Sequence, residues 1–342
     1  MRRRALLSTL AAGLGATAGC LGGVVQTTNS RSPPVLDGRP DAVYVPSHQE
    51  GMKTVGRGTA GDLTVAVTYS YPHRFWTVER EDGAWTTQKT GVDRDDAVHL
   101  MAVAFHEPTG TVVPNAGVSA EVTENGSLVA QEVVYPMLSQ RMGVHYGANV
   151  PLPGNGDYEV TVSVGGTSDE RYGALAGLFG TPATATVSFP YREAERNEIG
   201  FERFRTRAGT RGAVEPMSME MLPDPALPDP LPGEQTGTAS VGDVRFVGTR
   251  LDADRFGGPY LAVSAQSPYN RLPVPGVGLS ATVGSESVDL RPSLDPDLGF
   301  HYGAPVAADD TVALAVEVPA QVARHEGYET AFLATGTATL SE

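Results

Sequence analysis

His99 and Met101 lie two residues apart in the run Val98-His99-Leu100-Met101-Ala102-Val103-Ala104. If that run is a strand, its period of two puts both side chains on one face. Met137 and His145 flank a short excursion that could return to the same face. Imidazole and thioether are borderline-to-soft ligands, suited to copper and tolerated by ferrous iron. Each residue also has a plainer reading. A strand methionine is more often core than ligand, and a lone strand histidine is more often hydrogen-bonded scaffold.

Other candidates carry less. His73, in Tyr71-Pro72-His73-Arg74-Phe75-Trp76, fits a loop or surface role better than ligation. His48 and Met52 precede the first clear strand and could cap a site, although a solvated loop explains them. Met217, Met219 and Met221 would suit Cu(I) capture, yet an exposed linker accounts for them equally, and His106 sits in a turn-like stretch. The chain has no G-x-S-x-G, no H-E-x-x-H and no phosphate-cradling glycine loop, so enzyme readings find no support.

The elements that must position these residues are short strands. Leu63–Tyr69, Tyr158–Val164 and Ala183–Phe189 alternate with period two, and 40 Gly and 26 Pro supply turns and disfavour long helices. This predicts an antiparallel sandwich. At 342 residues, two domains are expected. A net charge of −15 argues against nucleic acid as a partner. Only Lys53 and Lys89 are lysines, and an acidic, lysine-poor surface fits solubility in high salt, as in a halophilic archaeon.

Residues 1–20 read as a targeting segment: Arg2, Arg3 and Arg4, an apolar run to Thr17, then the lipobox Thr17-Ala18-Gly19-Cys20. The twin arginines point to the twin-arginine export route and Cys20, the one cysteine, to lipidation and an anchor in the bilayer. A polar tether follows over 21–41, a first sandwich over 42–191, a linker over 192–233 and a second sandwich over 234–342.

The two sandwiches read as copies. Pro136–Val150 (PMLSQRMGVHYGANV) and Pro292–Val306 (PSLDPDLGFHYGAPV) agree at eight of fifteen positions without a gap. Gly61-Asp62 ahead of Arg74-Phe75 matches Gly242-Asp243 ahead of Arg255-Phe256 at equal spacing, and Leu100 aligns with Leu261. These matches, in one order, indicate a tandem duplication.

Val98-His99-Leu100, Tyr135-Pro136-Met137, Gly143 to Asn149 and Gly156 to Thr161 together resemble the periplasmic ferrous-iron transport accessory proteins, which bind iron and copper and are encoded with iron permeases. The resemblance covers about Val65 to Val164 and returns more faintly in the second copy. It implies an immunoglobulin-like sandwich that dimerises with metal near the interface. Carried over, its ligands fall on His99, Met137 and His145, with Met101 where the family has a glutamate, a change that softens the site toward Cu(I).

A further family histidine, reaching in from the partner subunit, falls on Tyr172 in the first copy and on His325 in the second. The second copy meanwhile has Tyr260, Ala262 and Ser293 in place of His99, Met101 and Met137. The copies thus keep complementary parts of one site. His301 survives in the second copy, which suggests that the His-Tyr-Gly segment is partly structural. The expectation is an all-β protein of two tandem immunoglobulin-like antiparallel sandwiches packed as a pseudo-dimer. It would hold iron or copper at His99, Met101, Met137, His145 and His325 and serve a membrane permease from the extracytoplasmic face. The competing expectation is a cell-surface adhesion or envelope protein with structural histidines.

Overall fold

The computed structural model describes residues 33–342 apart from 133 and 309. Expectations about the leader, Cys20 and most of the tether lie outside the described residues. The rest is almost entirely strand: two antiparallel immunoglobulin-like sandwiches pack as a pseudo-dimer.

In the first unit, one sheet runs in the order Lys53–Ala60, Leu63–Ser70, Asp96–His106, Gly143–Pro151, Tyr135–Ser139. The facing sheet runs Ala183–Tyr191, Gly156–Val164, Val118–Glu124, Ser127–Glu132. Alternation sorts the side chains. Val98, Leu100, Ala102 and Ala104 of one strand, with Val144, Tyr146, Ala148 and Val150 of its neighbour, enter the core between the sheets. The intervening residues occupy the outer face, where Met101, Val103 and Phe105 are nevertheless buried. A strand buried on both faces needs a second cover, which here comes from the other unit and from the connecting segment.

The second unit repeats the plan. Ser293 pairs with His301 as Met137 pairs with His145, and Leu261 pairs with Ala304 as Leu100 pairs with Ala148. Glu286–Asp295 is continuous and serves both layers, where the first unit splits the same path into Ser127–Glu132 and Tyr135–Ser139.

The units clasp each other by reciprocal strand exchange. Ala323–Arg324 of the second unit joins the first unit's sheet in parallel, with Met137 opposite Ala323 and Leu138 opposite Arg324. Glu170–Arg171 of the first unit joins the second unit's sheet, with Glu170 opposite Ser293 and Arg171 opposite Leu294. The same patch is used on both sides, the geometry of a two-fold homodimer. One feature breaks the symmetry. Twenty-six positions separate Arg74 from Leu100 but six separate Arg255 from Leu261, and the difference holds the hairpin Phe75–Glu81/Ala84–Thr90. Trp76 of that hairpin pairs with Arg324, so the first unit grips the exchanged strand from both sides.

The connecting segment is fastened to the fold. Phe201–Arg203 pairs antiparallel with His48–Glu50, the Val214 N–H donates to Gln140 Oε1 (2.8 Å), and the Met217 N–H donates to the Arg141 carbonyl (2.8 Å).

Candidate metal centre

The exchanged strand delivers His325 to the outer face of the first unit's sheet. The His325 N–H donates to the Leu138 carbonyl (3.2 Å), one residue past Met137, as the Tyr172 N–H donates to the Leu294 carbonyl (2.9 Å) at the mirror position. Backbone pairing therefore fixes where each residue enters. His325 Nε2 lies 3.2 Å from His145 Nε2 and 3.3 Å from Met137 Sδ.

Two further imidazoles complete the group. His73, His99 and His325 each offer a ring nitrogen, and these three atoms lie within 4.8 Å of one another. The rings of His73 and His99 are 4.0 Å apart between centroids, and those of His73 and His325 are 4.7 Å apart. Four of the residues expected from sequence, His99, Met137, His145 and His325, thus come together. His73, assigned to a loop or surface role, joins them and is half-buried.

Hydrogen bonding sets which nitrogen faces the cluster. The Nδ1 of His145 donates to the Gly143 carbonyl (3.0 Å), that of His99 to Asn149 Oδ1 (2.9 Å) and that of His73 to the Arg74 carbonyl (3.2 Å). Oxygens of that kind only accept, so each Nδ1 carries the proton and each Nε2 presents a lone pair. An outer hydrogen bond of this sort is the usual orienting device behind a metal-binding imidazole. The Nε2 of His99 is buried and meets no hydrogen-bond partner. Such an orphan is costly unless a ligand uses it.

Asn149 does double duty, because its Oδ1 also accepts from the His73 N–H (3.3 Å) while its Nδ2 donates to the His73 carbonyl (3.0 Å). Gly147 supplies the room: a Cβ there would meet His99 Nε2 at 2.7 Å and Met137 Sδ at 3.1 Å. On the flank, Arg74 bonds Glu326 at 2.6 Å, and Glu326 also accepts from Ser47 Oγ (2.7 Å). That ion pair ties the residue after His73 to the residue after His325.

Burial dominates the electrostatics. It pulls His73 and His145 down to about 4, and pulls His99 and His325 well below the ordinary imidazole value, with mutual repulsion among the rings adding to the effect at His99 and His325. All four are neutral at pH 7 and available as ligands.

Met101 shares the outer face with His99, as the period of two requires. Its side chain packs with Met142, Ala66 and Phe105 and lines a cavity of about 110 Å³ that also touches His73 and His325. His48 and Met52 line the same cavity.

The mirror position has been filled by other chemistry. The Tyr260 hydroxyl lies 3.2 Å from both Ser293 Oγ and His301 Nε2, and Tyr172, standing where the first site has His325, packs its ring 5.3 Å from that of Tyr260. Phe256 stacks on Tyr260 at 4.4 Å. His301 keeps the inner hydrogen bond, Nδ1 to the Gly299 carbonyl (3.1 Å), which accounts for its survival. The neighbouring tyrosines are structural in both copies: Tyr146 Oη accepts from the Ala116 N–H (2.7 Å) and Tyr302 Oη from the Val277 N–H (2.9 Å). His145 and His301 therefore share a scaffold role at Nδ1, and differ in what Nε2 meets.

Residues 61–178 match the family described as Fe2+ transport protein. Residues 229–341 match a domain of unknown function, DUF7350. No curated relative matches the chain. Among solved structures, "as isolated" FetP of uropathogenic E. coli strain F11 aligns at 20% identity over 41% of this chain and 96% of that chain, with a TM-score of 0.28. A copper-bound variant of the same protein aligns at 20% identity over 41% and 97%, with a TM-score of 0.29.

Proposed function

We propose that the chain is a lipid-anchored, extracytoplasmic protein that binds one iron or copper ion between its two sandwiches and supports uptake of that ion through a membrane permease. The observation that carries this reading is the buried, unpartnered His99 Nε2, set among three other imidazoles and a thioether. Neutral nitrogen and sulfur donors suit copper and accept ferrous iron. The match of residues 61–178 to Fe2+ transport proteins supports iron as the physiological context. In the metal-free protein, an N–H on His325 Nε2 can bridge to the His145 Nε2 lone pair; with that proton moved to His325 Nδ1, both Nε2 atoms would be free to bind a metal ion. The second unit acts as a fused partner: its own site is closed by tyrosines, and it lends His325. Anchoring rests on the basic leader and the lipobox ending at Cys20.

Two measurements test the proposal. Untagged protein equilibrated with Fe(II) or with Cu(I), then freed of loose metal, retains about one ion per chain; no retained ion would refute the binding role. Cys20→Ala moves the protein from the membrane fraction to the soluble one; unchanged fractionation would refute the anchor.

A further inference from the structure

Every methionine after Met1 lies either in the His cluster or on one of three recesses that share methionines with one another, the innermost of which touches that cluster. The chain has eight: Met1, Met52, Met101, Met137, Met142, Met217, Met219 and Met221, and the second sandwich has none. Met101 and Met142 are buried, and half-buried Met52 and Met221 pack against the same cluster. Met52, Met101 and Met142 line the cavity that reaches His73 and His325. On the outer side, Met142 borders a niche with Met217 and Met219, while Met219 and Met221 face a surface recess beside Thr54 and Arg57. The Met217 N–H bond to Arg141 and a turn from Met219 to Leu222 hold this segment in place.

Methionine is an ordinary filler of irregular cores, so packing is the explanation to beat. The second unit performs the same packing without it: Leu298 stands at the position of Met142 and Ala262 at that of Met101, both fully buried. Met219 and Met221 are also incompletely buried, and both line a surface recess with Thr54, Arg57 and Glu220. Thioethers are neutral and soft, and they bind Cu(I) far better than ferrous iron.

We propose that these methionines form a thioether route for a soft monovalent ion, Cu(I), running from Met219 and Met221 at the surface through Met52, Met101 and Met142 to the His cluster. The inference rests on the reading of that cluster as a metal site, and it adds a selectivity the histidines alone do not have. The connecting segment thereby becomes part of the binding apparatus. No redox step is involved; the ion moves between neutral donors.

The test uses the full chain labelled at methionine methyl carbons, with Ag(I) as a redox-inert probe. In a His99→Ala/His325→Ala variant, the methyl signals of Met52, Met101, Met142 and Met221 shift on Ag(I) addition and stay in place with Zn(II). In the unaltered site, Met52→Leu/Met221→Leu, which preserves volume, slows Cu(I) transfer from a Cu(I) chelator at least tenfold and leaves final occupancy unchanged. Methyls unmoved in the His-deficient variant, or an unchanged transfer rate, overturn the route while the His site stands. Thioether shifts with no perturbation of Met137 in the wild type overturn the His-site reading and, with it, delivery to that site.

Discussion

The Nε2 atoms of His145 and His325 lie 3.2 Å apart although 180 positions separate the residues along the chain. The contact crosses from one sandwich to the other, and it depends on the parallel pairing of Leu138 with Arg324. Its counterpart in the second unit, His301 with Tyr172 nearby, has no imidazole pair. His145→Ala lowers metal affinity at least tenfold, while His301→Ala leaves both affinity and stoichiometry unchanged and lowers thermal stability through loss of its Gly299 and Tyr260 contacts. Competition titration against a metal chelator and thermal unfolding read the two effects.

Asn149 orients two imidazoles through one amide. Asn149→Ala removes the acceptor for His99 Nδ1 and both backbone bonds to His73. Loss of such an outer partner weakens metal binding by about 10–100-fold. The same titration measures it; unchanged affinity would show that packing alone sets the rings.

Gly147 and Gly303 occupy matching places with different neighbours. A Cβ at Gly147 would press on His99 Nε2 and Met137 Sδ, whereas one at Gly303 would press on the Tyr260 hydroxyl. Gly147→Ala is expected to abolish metal retention. Gly303→Ala is expected to keep it and to cost about 1–3 kcal/mol of stability from overpacking. Metal counting beside denaturant unfolding separates the outcomes.

Acid should destabilise the metal-free protein over a defined window. Burial pulls His48, His73, His145 and His301 to about 4, and His99 and His325 well below their ordinary value. Their folded-state values lie below the unfolded value of about 6.5, so the unfolded chain binds more protons throughout that interval. Stability is full above pH 6.5 and declines as pH falls toward 4. Calorimetry of the apoprotein should show a falling Tm across that window, with bound metal opposing the fall; a Tm constant from pH 7 to pH 5 would contradict it.

Much of this was legible in the sequence because it was local. The spacing of Met137 and His145 reflects two adjacent strands joined by a short turn, and the pairing of those residues follows from it. Period two placed His99 on the face opposite Leu100 and Ala102. The family resemblance implied a histidine donated across an interface, and comparing the repeats put it at His325, opposite a tyrosine. What local pattern could not show was contact made by folding. His73 looked like a surface residue, since its repeat position holds Asp254 and no strand contains it; Asn149 and the ion pair beside it bring it into the cluster. Met101 was expected among the ligands in place of a carboxylate. It shares the face of His99, and its contacts are with Met142 and the cavity wall. The three methionines of the connecting segment carried no periodic signal, because their positions are set by the sheet they cover.

The central claim is that one ion binds per chain and that the second sandwich completes its site. Counting bound Cu or Fe in wild-type and His325→Ala protein at equal free metal, just above the wild-type dissociation constant, tests it most directly. Wild-type protein should hold about one ion per chain, and the variant should lose at least tenfold in affinity. Equal retention by His325→Ala, or two ions per wild-type chain at symmetric His sites, would contradict it.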